Sequence, residues 1–136
     1  MKRILTLLVV ISATIVLPAC SGSYVTGNPK DTLKTFFELL AKKDIETARK
    51  YATADSKNLL DLMTTAFKLD NNPNKTKQFD KNNMQVGDGV INGEIATVPV
   101  KDVSSGESVD FTLRKEGGAW KVAFDMGTLM PIGMQK

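Results

Sequence analysis

The apolar residues of this chain follow two different periods, and the switch between them falls at one place. In the first half, Leu33, Phe36, Phe37, Leu40 and Ala41 recur at i, i+3, i+4, i+7 and i+8. That spacing puts them on one face of an α-helix. Asn28 and Pro29 just before them suit an N-cap and a first helical residue. Asp44 can cap a second, short helix over "IETARKYA". The stretch "TADSKNLLDLMTTAFKL" predicts a third helix, with Leu59, Met63, Ala66 and Phe67 as its core face and Asp61 turned to solvent between core residues Leu60 and Leu62. Asn, Pro and Lys then crowd together in "DNNPNKTK", Asp70 to Lys77, which marks a loop. Beyond it the period becomes 2. Ala96, Val98 and Val100 share one face of a strand, as do Val109, Phe111 and Leu113, and then Trp120, Val122 and Phe124. "SSGE" and "EGGA" read as the turns between them, the second a glycine hairpin turn. "MQVGDGVING" alternates weakly and holds several glycines, so it reads as a poor strand or a bent one. Pro99 has no N–H to give a ladder and belongs at an edge or a bulge.

Helices followed by an antiparallel meander with one apolar face predict an α+β fold, with N-terminal helices packed against one side of a curved antiparallel sheet. The chain has 136 residues and no internal repeat, so one domain is expected over residues 28–136. The apolar, methionine-rich tail "MGTLMPIGMQK" is expected to pack across the sheet.

The first residues have a different logic. Lys2 and Arg3 precede an apolar run from Ile4 to Leu17, and small residues follow. This is the layout of a secretory signal peptide, and the run is shorter than the roughly 20 apolar residues a membrane-spanning helix wants. An ordinary cut after Ala19 would place Leu17 where a small residue is required. "LPAC", Leu17 to Cys20, instead resembles the bacterial lipobox, which implies a diacylglyceryl group on the Cys20 thiol, cleavage before Cys20 and acylation, as by palmitate, of the new amine. Residues 1–19 are then a lipoprotein signal peptide and residues 20–27 a lipidated, flexible tether. Lipidation also accounts for a lone cysteine in an exported chain. The expected location is the bacterial cell envelope, with the membrane as partner through Cys20. Ser21, rather than Asp, directly after that cysteine favours the outer membrane where there are two. Removing residues 1–19 lowers Lys+Arg from 18 to 16 against 15 Asp+Glu, a net charge of +1. No nucleic-acid partner is expected of so balanced a surface.

The chain contains no histidine. The commonest general base, the commonest metal ligand and every Ser-His or Cys-His pair are thereby excluded. With Cys20 lipidated no thiolate remains, so zinc is not expected. Asp70, Asn72 and Asn74 begin like a calcium loop, but Lys75 stands where Gly is needed and Lys81 where the bidentate Glu belongs. "GDGVING" lacks the strand–turn–helix setting of a phosphate loop. No metal and no cofactor are expected.

Two stretches carry a further resemblance. "NPKDTLKTFFELLAKKDIETARKYATADSKNLL" resembles the helical start of small bacterial lipoprotein domains in the nuclear transport factor 2-like superfamily, within a domain family of unknown function. "INGEIATVPVKDVSSGESVDFTLRKEGGAWKV" resembles their strand meander, with the ending Gly118, Trp120, Lys121 and Val122. The resemblance implies a cone in which the sheet wraps a long helix and leaves a cavity at its open end. Phe37, Tyr51, Met63, Phe67, Phe111, Trp120 and Phe124 are the candidates to line that cavity, against the alternative that they simply fill the core. The superfamily also holds isomerases and dehydratases that use a cavity carboxylate. A His–Asp pair is impossible here, and Tyr51 with Asp61 is the nearest approach to an isomerase-like site. The expectation is a lipid-anchored, non-enzymatic envelope domain that binds a small apolar ligand or a protein partner, with the isomerase- or dehydratase-like enzyme as alternative.

Overall fold

The computed structural model of the chain describes residues 27–70 and 72–128. The expected signal peptide, Cys20 and its tether up to residue 26 lie outside the described residues, as do tail residues 129–136. Three α-helices come first: α1 (Pro29–Ala41), α2 (Ile45–Ala48) and α3 (Lys57–Leu69). Short 3-10 turns, Arg49–Tyr51 and Ala54–Ser56, join α2 to α3. A longer 3-10 segment, Pro73–Phe79, leads into the strands β1 (Met84–Val86), β2 (Val90–Asn92), β3 (Ile95–Asp102), β4 (Ser108–Glu116) and β5 (Ala119–Ala123).

The α1 signals act as read. Asn28 caps the helix through its side-chain oxygen, which accepts from the Asp31 amide at 2.9 Å, and Pro29 opens it. Its end is set by Lys43, which takes the left-handed conformation (φ 59°) that closes a helix C-terminus, with the Asp44 amide donating back to the Leu39 carbonyl at 2.9 Å. Asp44 then caps α2, its carboxylate accepting from the Thr47 amide.

The sheet is antiparallel, in the order β1-β3-β4-β5, with β2 also paired to β3. Val98 faces Phe111 across β3 and β4, and Leu113 faces Val122 across β4 and β5. These residues point to one side and are buried. α1 touches β1, β3 and β5, strands from both edges of the sheet, so the sheet curls around it. The β4–β5 hairpin turns on Gly117 (φ 59°) and Gly118 (φ 80°), the two positive φ values of a type I′ turn.

Pro99 sits at a bulge. β1 pairs Val86 with Val100, β2 pairs Val90 with Thr97, and the three residues 87–89 face only Val98 and Pro99. The Pro99 carbonyl accepts from the Gly87 amide at 2.8 Å, while its nitrogen has nothing to donate to the same edge. The glycines are required by contact. A Cβ on Gly87 would lie 2.9 Å from Pro99 Cγ, and one on Gly89 would lie 2.8 Å from Val98 Cγ2. So "GDG" is the bent part of the weak strand.

Two expectations are corrected. Ala66 is exposed, and so is Leu62 (67%), while Leu60 and Met63 are the buried residues of α3. α3 lies at the margin of the core and offers it a narrow face, with Leu59 and Phe67 half-buried beside it. The loop expected over Asp70–Lys77 instead tightens into the 3-10 segment and ends on Phe79, which is 1% exposed.

The turns before α3 are fixed to the sheet by buried polar groups. Ser56 Oγ lies 2.7 Å from Thr53 Oγ1 and accepts from the Phe124 amide at 2.7 Å, while the Thr53 amide donates to the Val122 carbonyl at 2.9 Å. Ser56→Ala leaves the Phe124 amide without that acceptor and should lower stability by about 1–3 kcal/mol in urea unfolding, with the slope unchanged. Gly89→Ala should cost about 1–3 kcal/mol in the same measurement, through the clash with Val98.

Candidate functional site

The interior of the curl is filled by aromatic rings. Phe36 meets Phe124 edge-on with centroids 5.4 Å apart, and Phe37 meets Phe111 edge-on at 5.1 Å. Phe37 also stacks on Phe79 at 6.3 Å, with the planes 12° apart. One opening lies on the flank, where α1, the 3-10 segment and β1 fail to close on one another. It is a cleft of about 350 Å³. Phe37, Phe79, Met84 and Val86 form its apolar floor, and Lys34, Glu38, Lys81 and Asn82 its polar rim.

The seven candidate lining residues are not gathered into one cavity. Phe37 lines the flank cleft. Phe67 lines a second depression of about 350 Å³ between α2 and α3, under Lys43, whose Nζ stands 6.0 Å from the ring centroid. Phe124 borders a smaller one of about 230 Å³ with Ser56, Arg114 and Asp125. Phe111, Met63 and Trp120 are buried in the core, and Tyr51 packs half-buried against it. Trp120 lies opposite Lys115 in the sheet, with the ammonium 5.6 Å from its ring.

Tyr51 and Asp61, the nearest approach to a catalytic pair, are engaged otherwise. Asp61 is half-exposed and forms an ion pair with Arg49 at the start of the turn after α2. The Asp70 carboxylate accepts from the Asn72 amide at 2.9 Å, a local turn bond. Among the described residues, no three acidic side chains come together as a metal site would need.

The sequence reading missed Phe79, Lys34, Lys81, Met84 and Val86 as cleft residues. Met84 and Val86 do carry a period-2 signal in "MQV". Phe79 is a single apolar residue in a polar run, and only contact with Phe37 explains it.

At the other end of α1, Lys30 Nζ lies 2.6 Å from the Asp88 carboxylate, joining the helix start to the bulge. That hydrogen bond, and then the charge of Lys30, hold the Asp88 carboxyl below the usual carboxylate range.

No family model matches the chain, and no curated protein matches it in sequence. Among solved structures it is similar to a Campylobacter jejuni protein called an NTF2-like transpeptidase, at 22% identity and a TM-score of 0.51, covering 73% of this chain and 100% of that one. The fold is nuclear transport factor 2-like. The curled half-barrel and the helix inside it are the cone of the sequence resemblance. In this nuclear transport factor 2-like domain the interior is occupied by rings, and the open space lies beside α1.

The Asp88 pair gives a direct test. The folded pKa lies below the unfolded one, so the contribution to stability is present above the ordinary carboxylate pKa and is lost as pH falls through the lowered folded value. Carbon-13 NMR titration should find Asp88 ionising below the ordinary aspartate value, and Lys30→Gln should return it to the ordinary range.

Proposed function

We propose that the mature chain is a lipid-anchored domain of the bacterial cell envelope, and that it binds a small, largely apolar ligand rather than catalysing a reaction. Its parts are a signal peptide over residues 1–19, a tether over residues 20–27 attached through Cys20, and a single domain from residue 28 onwards, as in lipoproteins of a domain family of unknown function. The observation that carries the binding reading is the flank cleft, whose apolar floor and polar rim suit a ligand with a polar end. The location rests on the lipobox "LPAC" behind an apolar run. Two or more acyl chains hold a protein firmly where one does so only marginally, at about 0.8 kcal/mol per buried methylene. Among the described residues, no helix is long and apolar enough to cross a membrane, and the lipid supplies the attachment.

The name of the structural neighbour suggests a second reading, acyl transfer, which needs an activated nucleophile. Ser56 borders a depression with Arg114, yet it is 3% exposed and its hydroxyl already serves Thr53 and the Phe124 amide. That engagement favours binding.

Two experiments test the reading. Cys20→Ala should abolish palmitate labelling and move the protein from the membrane to the soluble fraction. Retained membrane attachment would overturn the anchor. For the cleft, the soluble domain should enhance the fluorescence of N-phenylnaphthylamine, and Val86→Trp, which fills the floor, should weaken that binding about tenfold, roughly 1.4 kcal/mol. Equal probe binding by both forms would place the ligand elsewhere.

A further inference from the structure

The flank cleft has an apolar floor and a charged mouth, and the charges at the mouth do not balance. Lys34 stands on the α1 wall, one turn before Phe37 and Glu38. Lys81 and Asn82 stand on the opposite wall, in the turn between the 3-10 segment and β1. The mouth thus carries two cations, one on each wall, against the single carboxylate of Glu38. Among the described residues, none of these three charged groups is in an ion pair.

The neighbouring carboxylates are committed elsewhere. Asp80 shares an adjoining depression with Lys42, Glu38 and Lys81, and it accepts from the Asn82 amide of the backbone at 2.8 Å. Asp88 feels the charge of Lys34 only after that of Lys30, which holds it at 2.6 Å. The Asn82 side chain takes no part in the Asp80 turn, so its own amide can donate at the mouth. A lysine lays its methylene stem along apolar surface and keeps its ammonium in water. Lys34 and Lys81 can therefore lengthen the walls above Phe37, Phe79, Met84 and Val86 and set their charges at the top.

We propose that the ligand of this cleft is a free fatty acid, its chain on the apolar floor and its carboxylate between Lys34 and Lys81. The inference rests on the reading of the cleft as a ligand site. A volume of about 350 Å³ stands at the small end of ligand pockets, which suits one alkyl chain rather than the two of a membrane lipid. An excess of one positive charge suits a singly charged head. The cleft residues include no arginine, whose planar fork favours phosphate, and Glu38 opposes the second charge a phosphate would bring. A carboxylate has acceptor sites for both ammonium groups and for the Asn82 amide.

The test uses the full mature chain, residues 20–136, made without its lipid so that neither membrane nor detergent is present. N-phenylnaphthylamine occupies the cleft, and decanoate, decanol and decylamine compete with it. The three share one chain length and differ in the charge of the head. At mildly alkaline pH, decanoate should displace the probe at about one fifth of the decanol concentration, and decylamine should be weakest. The preference should shrink as salt rises from about 0.01 M to 1 M, because exposed charges are screened. Lys34→Glu and Lys81→Glu should each abolish it. Lys81 stands in an exposed turn, so its variant carries the test even where Lys34→Glu disturbs α1. Lys101→Glu should keep the preference, being the same charge change on the other face of the sheet, where Lys101 pairs with Gln85. Equal displacement by decanoate and decanol, a lead for decylamine, or a preference that survives both cleft substitutions would overturn the fatty acid and leave the apolar cleft standing. So would no displacement of a probe whose binding Val86→Trp weakens. A probe indifferent to Val86→Trp and to all three competitors would bring down the cleft reading, and the fatty acid with it.

Discussion

Two adjacent phenylalanines on α1 fix everything that surrounds it. Neighbouring positions on a helix diverge by about 100°, so Phe36 and Phe37 reach in different directions. Phe36 meets Phe124 just beyond β5, and Phe37 meets Phe111 on β4 and Phe79 at the end of the 3-10 segment. One turn of helix thereby touches β4 and the chain just past β5, and holds the 3-10 segment beside the cleft. Rotation of α1 about its axis would break one contact set or the other. The curl follows, because strands from both sides of the sheet must approach one helix. Edge-on contacts add about 0.5–1.5 kcal/mol each to the burial of such rings.

Apolar packing of this kind fixes the roll of the helix but leaves the positions of the connecting segments open. Those are set by a few polar contacts. Ser56 ties the turn before α3 to the end of β5, so the third helix is attached at its start even though its buried face is narrow. The Lys30–Asp88 pair ties the start of α1 to the bulge between β1 and β2. Being exposed, that pair contributes position more than stability. Each of these bonds joins residues more than fifty positions apart, and each stands where the chain changes direction.

Such long-range pairings divide what the sequence reveals from what it hides. The α1 face, its Asn28 cap, the alternation in β3, β4 and β5 and the glycine turn at residues 117–118 are local signals, and each is legible because its cause lies within a few residues. Pro99 was also legible as an edge or a bulge, since the missing N–H is a property of the residue itself. α3 was legible only in part: Leu60 and Met63 are buried and Leu59 and Phe67 half-buried as expected, whereas Ala66 and Leu62 are exposed. Leu59 and Leu60 are both apolar, as are Leu62 and Met63, so the pattern reads as a broad face, and only the position of the helix at the margin of the core leaves Leu62 and Ala66 outside it. Phe79 and the cleft it floors were not legible, because a single aromatic residue in a polar run has no period. The cleft is made by residues from three elements whose approach is decided by Phe37.

The same constraints explain why the open space lies on the flank. A β-strand continuous from residue 84 to residue 92 would run the length of β3 and close the sheet against α1. Pro99 prevents this, because its nitrogen cannot continue the ladder on that edge. The edge therefore bulges at "GDG", and β1 is left as a three-residue strand. With the interior already occupied by rings, the gap between short β1, α1 and Phe79 becomes the accessible apolar surface on that side. Beyond the bulge β2 resumes its pairing with β3, and Val90 and Ile91 are both exposed there. One proline in β3 thus accounts for the short β1 and the cleft beside it.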